Sequence, residues 1–348
     1  MTDLALRRPV GPGTKTVSGP RRRVIGLVVA LAVLLGLVVA SMLIGSTTIP
    51  PTVVWDALFH PTKDIDQFAI RDFRLPRTIV GLVVGTALGV AGALIQALTR
   101  NPLADPGILG VNAGATFAVT VAVGVLGVRD VQSYMWFAFA GALIVTLVVL
   151  ALGSTRRGQS PVTTVLAGVC VTLVLNGAGQ ALELTNPDAF DAMRSWNAGS
   201  IVSRPLDLLW PTLPFFAIAL ILVFAVSGSL NAMALGDELA AAQGVRLVRT
   251  RILAIIALTL LAGGATAIAG PIGFVGLMVP HVARWFVGPD QRWIFAYSVL
   301  LAPSLLLASD ILGRVVMRPG EIPVGIVTAF VGAPVLIALV RQKKASGL

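Results

Sequence analysis

The chain contains few of the residues on which secreted domains and enzymes depend. Its 348 residues include one cysteine, Cys170, and two histidines, His60 and His281. A single cysteine within an apolar run excludes a disulfide framework and indicates no thiolate site. Two histidines without supporting ligand spacing predict no metal site, and we expect no resident cofactor. The sequence also lacks a G-x-x-x-x-G-K-(S/T) phosphate loop and an H-E-x-x-H motif, so we expect no catalysis and no ATP hydrolysis by this chain.

Charge is also scarce. Only 12% of the residues are charged and 56% are hydrophobic, with a mean hydropathy of +0.90, whereas about a quarter of a soluble domain is charged. We therefore predict an all-α polytopic membrane protein with about ten spans of roughly 20 apolar residues each. The candidate spans are 24–45, 78–98, 107–128, 134–153, 161–182, 208–228, 252–270, 272–287, 293–312 and 324–341.

The distribution of basic residues predicts the topology. Residues 1–23 form a basic tail, and 24–348 form one transmembrane domain. Most of the 26 lysines and arginines lie on the side of the tail, and most of the 16 acidic residues lie on the other side. The positive-inside rule then places both termini in the cytoplasm of a multi-pass protein in the cytoplasmic membrane. The net charge of +10 reflects this topology, with the lipid bilayer as partner and no nucleic acid.

A polar break, Arg100 to Pro106, separates the second and third predicted spans. Pro102 and Pro106 end one helix and prevent an early restart, and Asn101 can satisfy freed backbone groups. Non-helical backbone at membrane depth is tolerated where it is buried in protein or lines an aqueous path. A plain hairpin between membrane helices is the alternative.

Small residues mark a helix contact within the second span. Gly81, Gly85, Gly89 and Ala93 recur every four residues. This spacing places a smooth stripe on one face, where another helix can approach closely.

The longest connection on the tail side after the tail itself, 229–251, contains a short predicted helix. Asp237 can cap its start, its alanines favour helix, and Gly244 can end it. On the opposite side, Arg74, Arg77 and Arg314 run against the positive-inside bias. They serve either as contacts to lipid phosphate or as rim charges that dock an acidic partner.

Together these motifs resemble the permease family of ABC importers for iron-siderophores, haem and vitamin B12, from about residue 70 to 340. The resemblance rests on the following ordered set: Arg74-Leu-Pro-Arg77, Gly89-x-x-Gly92 leading to Gln96, Asn101-Pro-Leu-Ala-Asp-Pro106 with Leu109-Gly110, Trp196-x-x-Gly199-Ser200, Gly236-Asp-Glu238 through Gly244, Ala269-Gly-Pro-Ile-Gly-Phe-Val-Gly-Leu277, Pro280-His281-x-x-Arg284, Asp310, Arg314, Glu321-x-Pro-x-Gly325 and Gly332-Ala-Pro334.

The resemblance implies a type II ABC importer permease fold and several partners. These are a second permease, identical or paralogous, two ABC ATPase subunits, and an extracytoplasmic solute-binding protein. It assigns roles to three groups of residues: Asn101 and Leu103 to the translocation gate; Arg74, Arg77 and Arg314 to docking of the binding protein; and Gly236, Asp237, Glu238, Ala241 and Gly244 to an ATPase coupling segment at about 236–246.

The implied function is translocation of a ferric siderophore by alternating access, with ATP hydrolysed by the separate ATPase subunits. Ser200 resembles the siderophore branch more than the vitamin B12 branch, although haem and cobalamin remain alternative cargoes. A second class, an ATP-independent secondary transporter or channel, also stays open. The absence of an acidic residue near the middle of any predicted span weakens that alternative, because a proton relay operates there.

Overall fold

The computed structural model describes residues 19–45, 49–60, 62, 64–155, 158–159 and 161–345. Within them a π-helical turn, Ala69–Arg74, precedes α4, and 3-10 helices span Pro106–Leu109 and Leu206–Leu208. Two short strands, Ser154–Thr155 and Gly158–Gln159, pair antiparallel. The α-helices are α1 Pro20–Leu43, α2 Pro51–Phe59, α3 Ile65–Phe68, α4 Leu75–Thr99, α5 Val111–Gly124, α6 Val131–Gly153, α7 Pro161–Thr185, α8 Pro187–Trp196, α9 Leu213–Met233, α10 Asp237–Ala242, α11 Leu247–Ala269, α12 Val275–Val287, α13 Gln291–Val316 and α14 Val324–Ala345.

The prediction of an all-α polytopic protein with about ten spans is confirmed. Among the described residues, seven helices are long and apolar enough to cross a membrane, and the shorter apolar helices α5, α12 and α14 complete the ten. Some bounds differ from the predicted ones. The third span begins at Val111 rather than 107, because a 3-10 helix and Gly110 at φ +74° precede it. Residues 1–18 of the predicted basic tail lie outside the described residues.

The central helices of the bundle are α4 and α11. In α4, 78% of the most apolar stretch is buried, and in α11 the share is 72%. The predicted glycine stripe of α4 packs on α13, where a Cβ on Gly85 would lie 2.5 Å from the Cα of Pro303. A Cβ on Gly92 would lie only 1.8 Å from the carbonyl oxygen of Gly276 at the start of α12. Both crossings therefore require glycine.

The loop from Trp196 to Ser200 closes over the break between α11 and α12. The backbone N–H of Ser200 donates to the carbonyl of Ala269 at 2.7 Å, and the N–H of Gly325 donates to the carbonyl of Gly199 at 2.9 Å. The motifs that are far apart in sequence thus meet at the same end of the bundle.

Helix α1 lies along α13 and is fastened to it near its start. The Tyr297 hydroxyl of α13 donates to the carbonyl oxygen of Arg23 at 2.7 Å. A Cβ on Gly26 would lie 2.2 Å from that hydroxyl oxygen. Glycine at this position therefore lets the two helices approach closely.

Candidate functional site

The polar break ends α4 and has the local structure that its prolines and asparagine predict. Helix α4 stops at Thr99, and Arg100 adopts a left-handed conformation with φ +51°. The Asn101 side-chain oxygen accepts the N–H of Leu103 at 2.9 Å. The side chain of Asp105 accepts the N–H of Gly107 at 2.8 Å and so starts the 3-10 helix. Side-chain acceptors therefore replace backbone acceptors that the helix no longer supplies.

The two predicted gate residues lie in the open part of this break. Asn101 is exposed, and Leu103 is 43% exposed, whereas Ala104 beside them is buried. A cavity of about 110 Å³ adjoins the break and is lined by α4, by the 3-10 segment and by Arg251 of α11. The structure thus places Asn101 and Leu103 at an accessible point, where an additional surface can meet them.

The predicted coupling segment is a six-residue helix, α10, between two glycines. Gly236 has φ +116° and Gly244 has φ +82°, which are conformations that other residues rarely adopt. The N–H of Gly244 donates to Ala241, and Gly244 ends the helix as predicted. One residue of the helix, Ala240, is buried, while Glu238 and Ala241 are exposed.

Asp237 has a different role from the predicted one. It does not cap α10, because Gly236 occupies the capping position without a side-chain hydrogen bond. Instead its carboxylate pairs with the guanidinium of Arg100 at the end of α4. It also pairs with Arg251 of α11, with a distance of 2.5 Å between Nη2 and Oδ2. Helix α10 and the polar break after α4 are therefore joined directly by a side-chain ion pair.

The ion pairs shift the protonation of Asp237. Partial burial by itself would raise its pKa, but the hydrogen bond and charge of Arg251 and the charge of Arg100 outweigh this effect. The pKa of Asp237 consequently lies below its ordinary value. The carboxylate stays charged, and the pairing persists, throughout the neutral range.

At the opposite end of the bundle, the three predicted docking arginines gather in one buried cluster. Asp310 of α13 is fully buried and accepts two hydrogen bonds at 3.0 Å from Nε of Arg77 and one at 2.6 Å from its Nη2. Arg314 donates from Nε to the same carboxylate at 3.0 Å. Arg77 also reaches Glu321 at 2.5 Å. The prediction of rim charges is therefore wrong for all three side chains, because Arg74, Arg77 and Arg314 are buried.

The arginines of this cluster also donate hydrogen bonds to the carbonyl groups at the C-terminal end of α1. The last carbonyl groups of a helix have no partner within it. Arg314 donates to the carbonyls of Ser41 at 2.9 Å and Ile44 at 3.0 Å. Arg74 donates to the carbonyl of Met42 at 2.8 Å. Positive charge at a helix C-terminus is also favoured by the helix dipole.

A cavity of about 300 Å³ opens beside this cluster. Arg74, Arg77, Arg314 and Glu321 line it together with Ser203 and several apolar residues. With Asp310, the cluster has three positive and two negative side chains, so one positive charge remains. Docking through these arginines stays a prediction, and it would take place within this cavity.

Helix α7 has a polar stripe that is not predicted from the sequence. Thr172, Asn176, Gln180 and Glu183 follow one another at spacings of four, four and three residues, which places them on one face of the helix. Asn176 and Gln180 are exposed, and only 11% of the membrane-spanning stretch of α7 is buried. The spacing can be read from the sequence, but the high mean hydropathy of the span does not indicate a polar face.

These features define the class of the protein. A bundle of about ten spans, one of them with an uncovered polar face, has a stiff break at one end and a charged cavity at the other. This architecture is that of a membrane transport permease.

The FecCD transport family matches residues 32–342, and the chain belongs to this family. The resemblance to importer permeases that the motifs predict is thereby confirmed. The ferric enterobactin transport system permease protein FepD of Escherichia coli is 48% identical over 308 residues, which cover 88% of this chain and 92% of that protein. The Fe(3+)-citrate import system permease protein YfmD of Bacillus subtilis is 39% identical over 289 residues, 83% of this chain and 84% of that protein.

A solved structure supports the same fold. A chain described as a metal-chelate type ABC transporter in an inward-facing conformation has a TM-score of 0.80 with 25% sequence identity. The superposition covers 92% of this chain and 99% of that one. The predicted fold class is thus confirmed.

Proposed function

We propose that this chain is the permease subunit of an ATP-driven importer that carries a ferric siderophore across the cytoplasmic membrane by alternating access. Two separate ATPase subunits hydrolyse ATP, a second permease completes the pathway, and an extracytoplasmic binding protein delivers the cargo. The chelated iron is cargo rather than a resident cofactor. The 48% identity to a permease for ferric enterobactin favours this chelate among the possible cargoes.

The observation that carries this proposal is the uncovered polar face of α7. Carboxamide groups in contact with lipid hydrocarbon would lose their hydrogen bonds to water, which is unfavourable. Asn176 and Gln180 therefore face water, and in a membrane that water lies in a pathway. Because α7 is covered so little by its own chain, a second permease supplies the opposite wall.

The proposed pathway ends at Asn101 and Leu103 on the cytoplasmic side. Their exposure in the single chain suits a gate that closes against the partner permease. Both termini lie on this side, because the basic residues concentrate there.

The exposed surface around α10 is the proposed contact for an ATPase. Leu239 is 57% exposed and Val248 is 69% exposed. A cavity of about 620 Å³ between α10 and α11 includes Ala241, Val245 and Val248. Small and apolar side chains allow a partner to pack closely on this surface.

On the extracytoplasmic side, the binding protein docks at the cavity lined by Arg74, Arg77 and Arg314. An acidic side chain that enters this cavity meets the net positive charge of the cluster. Because the three arginines are buried, salt screens them little, and we expect their removal to speed dissociation of the binding protein more than it slows association.

Transport in proteoliposomes tests the proposal. The permease is reconstituted with its ATPase and binding protein, and uptake of iron-55 enterobactin is measured with and without ATP at the ATPase face. We expect ATP-dependent uptake that is at least tenfold lower in the double variant Asn176→Leu, Gln180→Leu. Val174, exposed on another face of α7, provides the control variant Val174→Leu, which should transport normally.

Three results distinguish the alternatives. Uptake that is equal without ATP would favour a gradient-driven carrier or channel. ATP-dependent uptake of haem or cobalamin, with none of the ferric siderophore, would change the cargo. Normal uptake by the double variant would contradict the role of α7.

A further inference from the structure

We propose that Asp237 is a positioning residue that transmits movement of α10 to the gate break through Arg100 and to α11 through Arg251. The inference rests on the proposed ATP-driven importer and adds to it the internal link between motor and gate.

The two oxygens of one carboxylate serve two different helices. Oδ1 accepts from Nη2 of Arg100, which is 137 residues away in sequence. Oδ2 accepts from Nη2 of Arg251 at 2.5 Å. Asp237 is the first residue of α10, so any displacement of this helix acts on both arginines at once.

Arg100 is well placed to pass such a displacement to the gate. It is the last residue before Asn101, and its φ of +51° is uncommon for a residue with a side chain. Its backbone is continuous with the turn that Asn101 and Leu103 form. A pull on the Arg100 guanidinium therefore acts where the conformation of the break begins.

The glycines on either side of α10 allow it to move as a unit. A Cβ on Gly236 or Gly244 would meet no atom within 4 Å, although both residues have positive φ. These glycines thus serve backbone conformation rather than close packing. A six-residue helix between two such positions can turn about them, while Ala240 and Asp237 keep it connected to the bundle.

The solvent exposure of these ion pairs indicates that they transmit movement rather than stabilise the fold. The side chains of Arg100, Asp237 and Arg251 are 42%, 39% and 31% exposed. Ion pairs this exposed add little to folding stability. Loss of the carboxylate should therefore leave the protein folded and change how the gate responds.

Asp237 and its neighbour Glu238 consequently have different roles. The Asp237 carboxylate is engaged within the chain, whereas Glu238 is exposed on the outer surface of the helix. We assign Glu238 to contact with the ATPase, and Asp237 to transmission within the permease.

The experiment compares ATP hydrolysis, transport and gate accessibility in the reconstituted complex. The variants are Asp237→Asn and Arg100→Gln, with Asp237→Glu as the conservative variant that keeps a carboxylate. Asp290→Asn is the matched control, because Asp290 also pairs with an arginine, Arg23, but lies outside α10. Gate accessibility is read from the thiol-labelling rate of Leu103→Cys in a Cys170→Ser background.

We expect Asp237→Asn and Arg100→Gln to bind the ATPase and hydrolyse ATP within twofold of wild type, with at least tenfold fewer chelates imported per ATP. The change in labelling rate at position 103 between the ATP-free and vanadate-trapped states should disappear. Asp237→Glu should restore at least half of the transport, and Asp290→Asn should behave as wild type.

Two results would overturn the inference. One is normal import per ATP and normal labelling in Asp237→Asn. The other is loss of ATPase binding in Asp237→Asn, since this would place the carboxylate in the intermolecular contact. Failure of the proposed function can be distinguished from failure of this inference. In the first case the wild-type complex itself would show no ATP-dependent uptake.

Discussion

Replacement of Asp310 by asparagine should strongly destabilise the protein. The side chains of Arg77, Asp310 and Arg314 are 8%, 0% and 1% exposed, so the cluster is screened little by solvent. Arg77 keeps Glu321 in this variant, but Arg314 loses the carboxylate with which it pairs. Removal of one partner from a buried ion pair costs about 3–5 kcal/mol, and we expect a loss in this range.

The assay is thermal unfolding of the detergent-solubilised protein, where a loss of this size should lower the midpoint by several degrees. Asp188→Asn is the control, since Asp188 and Arg129 form an ion pair with side chains 64% and 80% exposed. Exposed pairs contribute about 0–1 kcal/mol.

Equal unfolding midpoints for wild type and Asp310→Asn would refute this reasoning. Such equality would mean that water or lipid headgroups compensate the arginines.

Three further outcomes are expected. Gly92→Leu should prevent the close crossing of α4 and α12 and abolish assembly in the membrane, measured by fluorescence-detected gel filtration, whereas Gly36→Leu, at a position with open space around it, should assemble normally. Asn101→Ala should remove about 1 kcal/mol from the turn and speed hydrogen exchange of the Leu103 amide about fivefold, and Asn101→Asp should not. Because the pKa of Asp237 is lowered, its ion pairs are fully present above its ordinary pKa of 3.8 and are lost only at lower pH. Infrared difference spectra against Asp237→Asn should therefore still show an ionised carboxylate at pH 3.8. A carboxyl group that is half-protonated at this pH would contradict the lowered pKa.

The sequence predicts the features that depend on local pattern. Span length, the proline break after Thr99 and the glycine stripe of α4 all follow from residues close together in the chain. The α4 stripe shows this well, since a four-residue period of glycine has a direct meaning for helix packing. The only uncertainty it leaves is the identity of the partner, which the structure shows to be α13.

The features that depend on distant partners could not be predicted. The burial of Arg77 requires Asp310, 233 residues away, and the burial of Arg314 requires the end of α1. A count of charges on each side of the membrane contains no information about such pairing. The same holds for Asp237: its position predicts a helix cap, whereas its ion pairs depend on Arg100 and Arg251, which are distant in the sequence.

The double attachment of α1 to α13 has a consequence for transport. The Tyr297 hydroxyl donates to the carbonyl of Arg23 in the first turn of α1, and Arg314 donates to the carbonyls of Ser41 and Ile44 at its other end. The two helices are therefore attached to each other near both ends of α1. We expect them to tilt together during the proposed transport cycle, so that a displacement beside the arginine cavity reaches the Arg23 end of α1 without passing through the break from Arg100 to Pro106.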